Sequence, residues 1–267
     1  MRGIHTLRGK EPILQKIVFE LRYRHGFMYL DRCGRMINTI IREYPEWTID
    51  PSNPNPQGAT LVSLANSCVL SVGTRKLDLA IEMPLGGEPL REDDVTDVAD
   101  QVDTTTAVVV DLLDLTDFSR IGCRLWYLFP CQNQQEAESW LASLGCYSVS
   151  DGLKAAFGGA TEAIGISVVI SGEDRKYRIA FNGVQRAATV DVGKEVLNVR
   201  AKDLPVDQRK MLLEQEKAKS RLRQAPDFPA MIDIYAFVED PESPDPRAFV
   251  ITTHKTALEQ LRKAVGG

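Results

Sequence analysis

Three groups of residues have the types and spacing to do chemistry. Asp111, Asp114 and Asp117 recur at i, i+3 and i+6, so a helix brings their carboxylates toward one end, where converging oxygens can hold a hard cation. Arg120 and Arg124 fall on one side of an alternating stretch with Gly122 between them. A glycine there removes a side chain from the sheet face and lets both guanidinium groups converge on a carboxylate or phosphate. Arg22 and Arg24 extend that patch if their strands are neighbours. The third group is basic: between Pro205 and Gln224, Arg209, Lys210, Lys217, Lys219, Arg221 and Arg223 outnumber Asp207, Glu214 and Glu216.

Each group has a plainer reading. Arginines on a sheet face commonly pair with local acids. The aspartates end a stretch, Glu88 to Asp117, whose one base is Arg91, which describes a solvated acidic helix face. Acids at a helix C-terminus also oppose its dipole and call for a basic neighbour. No phosphate-binding loop, dinucleotide glycine fingerprint, paired-histidine zinc motif or nucleophile elbow is present. The chain has three histidines: His5, His25, beside Gly26 at a bend, and His254, where a strand is expected to give way to a helix. The last two are expected on the surface. Cys123, opposite in phase to the two arginines, is expected to be buried and inert.

The elements that must position these residues follow from periodicity. The chain has 267 residues, 43% apolar and 26% charged, with a formal charge of −5, ordinary values for a folded protein and unsuited to wholesale polyanion binding. Five cysteines, at 33, 68, 123, 131 and 146, form no Cys-x-x-Cys pair, which fits a reducing compartment. No run has the ~18 apolar residues of a membrane helix and the N-terminus lacks a signal-peptide core, so a cytoplasmic location without membrane association is expected.

Phe19, Leu21 and Tyr23 alternate with Glu20, Arg22 and Arg24 as a half-buried strand. Asp31 caps a helix ending at Pro45, and 50–58 reads as a loop. Residues 68–72 and 76–81 form a hairpin turning at Gly73-Thr74. An amphipathic helix covers 94–115, a strand 121–129, and a short helix capped by Asn133 stops at Gly145. Strands are expected near 163–171, 175–182, 185–192 and 231–238, a helix over 205–223, a short strand at 248–252 and a terminal helix from Thr256.

Ser67–Ile81, SCVLSVGTRKLDLAI, and Ser167–Phe181, SVVISGEDRKYRIAF, match without gaps at Ser67, Val69, Ser71, Arg75, Lys76 and Ala80. Each precedes a long helix pattern and an apolar strand. This predicts an α+β chain of two related halves, each an antiparallel sheet packed by a long helix, with residues 1–150 and 151–267 as the units and the boundary within 145–160.

The segments PILQKIVFELRY (12–23), VLSVGTR (69–75), FSRIGCR (118–124) and MIDI (231–234) resemble, in order, a sporadically distributed family of prokaryotic proteins of similar length with no assigned activity. The chain departs from that pattern at Leu125–Pro130, where an asparagine is expected. The resemblance supplies no cofactor or catalytic residue. Its patchy distribution is similar to that of mobile, defence-linked or toxin-neutralising genes.

The expected function is a non-enzymatic interaction or regulatory component of a bacterial defence or stress system, acting on a protein partner without a cofactor. The alternative is binding of nucleic acid or a phosphorylated ligand through Arg22, Arg24, Arg120 and Arg124 or through Arg209, Lys210 and Lys217. A metal enzyme built on the aspartates ranks last. Oligomeric state is not legible in the residues.

Overall fold

The computed structural model describes residues 10–49, 56–63, 67–83, 88–145, 165–184 and 228–266. Nine strands, β1 (Ile13–Tyr23), β2 (Thr48–Ile49), β3 (Gly58–Ser63), β4 (Cys68–Gly73), β5 (Lys76–Glu82), β6 (Phe118–Phe129), β7 (Gly165–Ser171), β8 (Lys176–Gly183) and β9 (Ala230–Glu239), form one antiparallel sheet in the order β2-β3-β4-β5-β1-β6-β9-β8-β7. Four described helices accompany it: α1 (Tyr29–Glu43), α2 (Glu92–Leu113), α3 (Gln134–Ser143) and α4 (Pro246–Gly266).

The helices share one face, and the alternation of the central strands explains why. Phe19 lies opposite Leu79 on one side and Cys123 on the other, and Cys123 lies opposite Ala236. All four are fully buried. Onto this apolar row α2 presents Val95, Val98, Val102 and Val109, while α1 presents Met36, Ile37 and Ile40. Trp140 of α3 packs on Phe129, ring centroids 4.4 Å apart. Burying large apolar side chains contributes about 1.5–3 kcal/mol each, which ties the layers together. No described helix is long and apolar enough to cross a membrane.

The start of α3 follows its expected chemistry, but α1 does not: its N-cap is Met28, without a side-chain hydrogen bond, and Asp31, expected as the cap, lies in the first turn. Asn133 Oδ1 accepts from the Glu136 amide (2.9 Å). On α2 the Arg91 amide donates to Asp94 Oδ2 (2.7 Å), one half of a capping box. Gly145 stands at φ +72° after α3, a conformation that glycine adopts at little cost.

The hairpin, the strands at 163–171, 175–182 and 231–238 and the helices over 31–45, 94–115 and 133–144 all appear. The end of the chain differs. Residues 248–252, expected as a strand, lie inside α4, which starts at Pro246 rather than Thr256. The run Phe249-Val250-Ile251-Thr252 is β-rich locally, yet Phe249, Val250, Thr253, Ala257 and Leu261 are buried at helical spacing. Packing of that stripe overrides local propensity. The strand expected at 185–192, the helix at 205–223 with Arg209, Lys210 and Lys217, and most of the boundary region 145–160 lie outside the described residues.

The sheet is single and continuous, with β1 and β6 paired at its centre. The two matched segments both fold as hairpins but sit differently. β5 pairs with the central β1, whereas β7 is an outer edge. The last pair before the turn is Val72–Leu77 in one hairpin and Ser171–Lys176 in the other, so the turn falls one residue earlier in the second. Among the described elements, and leaving β2 aside, a different order recurs: β1, α1, β3–β5 and α2, then β6, α3, β7–β9 and α4, with sheet neighbours mirrored about the β1–β6 pair.

Candidate functional site

Three segments are laced together where β1 runs out. The Tyr23 amide donates to the Arg75 carbonyl (3.0 Å), the Gly26 amide to Thr74 (3.2 Å) and the Arg24 amide to Asp117 (3.0 Å). The buried Tyr23 hydroxyl donates to the Gly73 carbonyl at 2.6 Å, and burial pushes its pKa up. A Cβ on Gly26 would stand 2.4 Å from the Tyr23 ring and 2.6 Å from the Thr74 oxygen, so the close approach of loop to turn requires glycine. The β1 end, the β4–β5 turn and the start of β6 are thereby braced against one another.

This frame encloses a pocket of about 550 Å³ lined by Arg22, Tyr23, Arg24, His25, Phe27, Arg75 and Ser119. Arg24 bonds Asp117 at 2.6 Å and also pairs with Asp240, Arg22 bonds Glu20 at 2.8 Å, and His25 lies 3.8 Å from Asp117. Arg75 has no acid partner among the described residues. Beside the pocket, Phe27 is 56% and Leu30 54% exposed. Large apolar side chains beside arginine are the composition of protein-binding centres.

Arg22 and Arg24 line this pocket and Arg22 lies directly opposite Arg120 across the β1–β6 pair, but Arg120 and Arg124 do not converge on an open gap. Gly122 does make room, and the Tyr235 ring takes it: a Cβ on Gly122 would lie 2.7 Å from that ring. The Tyr235 hydroxyl donates to Glu20 Oε1 (2.6 Å). Burial, together with the Glu20 carboxylate, pushes this phenol up to about 12. Arg124 Nε reaches both Asp233 oxygens, at 2.8 and 3.0 Å, while Arg120 bonds Glu239 (3.2 Å) and lies over the Phe237 ring.

The rest of this second face is similarly matched. Across the register, the row Lys76, Arg22, Arg120, Glu239 is followed by Asp78, Glu20, Gly122, Phe237, Lys176. Opposite charges thus sit one step apart along β5 and β1, and Lys76 pairs with Asp78 and Lys176 with Glu239. Burial and the facing Glu20 raise the Asp78 pKa. The Arg22 and Tyr235 hydrogen bonds outweigh burial at Glu20 and lower its pKa. Arg178, stacked over Tyr235, has no acid partner among the described residues.

Two of the three aspartates are held by separate bases, and Asp111 has no basic partner among the described residues. Asp114 pairs with Arg32 (2.8 Å), which also donates to the Leu112 carbonyl (2.8 Å), and Asp117 pairs with Arg24. These cations answer the unfavourable dipole at the end of α2. Among the described residues, no three His, Cys, Asp or Glu side chains are grouped to hold a metal.

His254, expected on the surface, is 8% exposed on α4, its Nδ1 2.9 Å from the Tyr127 hydroxyl. Burial lowers its pKa. Cys123 is buried, its thiol pushed up to about 12 by desolvation. Sequence reasoning missed Arg75, Phe27, Leu30 and Tyr235. Starting α1 at Asp31 left Phe27 and Leu30 unplaced, and nothing local ties Tyr235 to Gly122.

Compared with known proteins, the chain matches no family model and no curated protein sequence.

Proposed function

We propose that the protein is a non-enzymatic interaction component, in keeping with a role in a bacterial defence or stress system, and that it engages a protein partner at the end of β1. The observation carrying this reading is exposed Phe27, which lines one pocket with Arg75, a cation without an acid partner among the described residues, on a backbone-braced rim, with exposed Leu30 bonded to Phe27 through the backbone. The partner that fits presents an apolar side chain next to a carboxylate. Pairing of Arg120 with Glu239 and Arg124 with Asp233 leaves these two arginines less available to a phosphate backbone, whose binding depends on uncompensated bases. The mirrored order of strands and helices supports descent of the chain from one duplicated β-α-β-β-β-α unit.

A pull-down read by mass spectrometry tests the site. Wild type captures a specific protein, and Phe27→Ala and Arg75→Glu both lose it while unfolding at an unchanged denaturant midpoint. Capture that survives both substitutions sinks the reading. Binding of nucleic acid that weakens with salt and with Arg75→Glu, but not with Phe27→Ala, would favour the phosphate alternative.

A further inference from the structure

Among the described residues the sheet has one guarded edge and one open edge. β2 is two residues long and follows Pro45 and Glu46, the short, proline-flanked and charge-flanked form that natural edges use to refuse partners. β7 is a seven-residue strand, Gly-Ile-Ser-Val-Val-Ile-Ser, without proline or charge. Val168, Val169 and Ile170 are 39%, 60% and 49% exposed, so apolar surface is bare on both sides of the pleat. Its inner side pairs with β8, Ile166, Val168 and Ile170 lying opposite Phe181, Ile179 and Tyr177. Among the described residues its outer side pairs with nothing.

We propose that β7 pairs antiparallel with β7 of a second copy of this chain, about a two-fold axis through Val168. On the helix side the strand reads the same in both directions, Ile166, Val168 and Ile170. That register sets Val168 on its own copy, Ile166 on Ile170, Ser167 on Val169 and Gly165 on Ser171. The helix side then carries an unbroken aliphatic ladder, and no like charges face each other across the axis, despite the chain's net charge of −5. Directly opposite side chains in such a pair stand about 4.5–5.5 Å apart and interact. Among the described strands, pairing consumes both open edges and leaves two copies of β2 outermost, so assembly closes at the dimer rather than growing into a filament. A single strand pair is small beside the ~1,200–2,000 Å² of stable interfaces, so dimerisation is concentration-dependent. This surface is separate from the Phe27–Arg75 site.

Sedimentation velocity over a concentration series tests the proposal on the full chain. Wild type passes from monomer to dimer. Val168→Lys and Val168→Glu each remain monomeric, because the axis puts the new charge against itself, and an equimolar mixture of the two recovers a dimer. Wild type that stays monomeric up to its solubility limit, single variants that dimerise like wild type, or a mixture that fails to reassociate overturns it. A monomeric wild type that captures a foreign protein through β7 also overturns it. Should charge at 168 prevent folding, Val169→Lys, at a position already 60% exposed, weakens dimerisation at least tenfold, and unchanged association overturns the proposal.

Discussion

One residue apart along the same strands, the two faces of the sheet meet very different surroundings. Leu79, Phe19, Cys123, Ala236 and Tyr177 form one cross-strand row under the helices; Asp78, Glu20, Gly122, Phe237 and Lys176 form the adjacent row on the other side. The covered face is held by volume, since its buried side chains pack closely and a vacancy has no partner to fill it. The charged face is held by matched pairs, each of which also has water as an alternative partner. The difference teaches where the molecule tolerates change, and graded substitutions can break it.

The largest effect belongs to the covered face. Phe19→Ala, at a fully buried position, removes a ring from the centre of β1 and should cost roughly 3–5 kcal/mol. The shift in urea midpoint at constant slope measures it. On the charged face the nearest rival is Asp233, 5% exposed and holding Arg124. Asp233→Ala strands a partly buried guanidinium and should cost about 1–3 kcal/mol, toward the lower end because the Arg124 side chain is 37% exposed and water screens its charge. Adding Arg124→Ala should recover part of that loss. A deficit for Asp233→Ala matching that of Phe19→Ala would show that both faces are built alike.

Acid should reach the two faces in different windows. Burial lowers the His254 pKa in the fold, so between that value and the unfolded 6.5 the unfolded chain binds more protons. Stability is complete above 6.5 and declines as pH falls below it. Glu20 is also lowered, from 4.5, so its contribution is present above 4.5 and is lost as pH falls further. Asp78, raised by burial, gains stability on protonation and blunts the second decline. His254→Gln should remove the upper slope and leave the lower one, while Glu20→Gln should do the reverse. Denaturant midpoints across pH read both.

The covered face was legible in the sequence because its signal is local. Phe19, Leu21 and Tyr23 alternate, the valines of α2 recur at helical spacing, and Asn133 announces its own helix. The charged face was only half legible. Alternation placed Arg120 and Arg124 on one side of β6, but their partners Glu239 and Asp233 are 119 and 109 residues away. Tyr235 fills the space that Gly122 leaves, and no local pattern encodes that choice. The repeat suffered likewise: two hairpins share composition, yet composition carries no record of which strand lies next. Sheet order is set by long-range pairing, and β1 inserts between β5 and β6 although it precedes both.

The smallest effect separates two devices that hold a single side chain. Lys16 pairs with Glu82, and its Nζ stands 4.4 Å from the centre of the Trp126 ring. Glu82 is 48% exposed, so Glu82→Gln removes a screened ion pair worth about 0–1 kcal/mol and leaves the ring contact intact. Lys16→Met keeps the aliphatic stem over Trp126 and removes both electrostatic interactions, adding about 0.5–1 kcal/mol for the lost cation–ring attraction. The expected order of midpoints is wild type, then Glu82→Gln, then Lys16→Met, with high salt closing the first gap and sparing much of the second. If salt closes both gaps equally, Lys16 is held by its carboxylate alone and the tryptophan contributes only area.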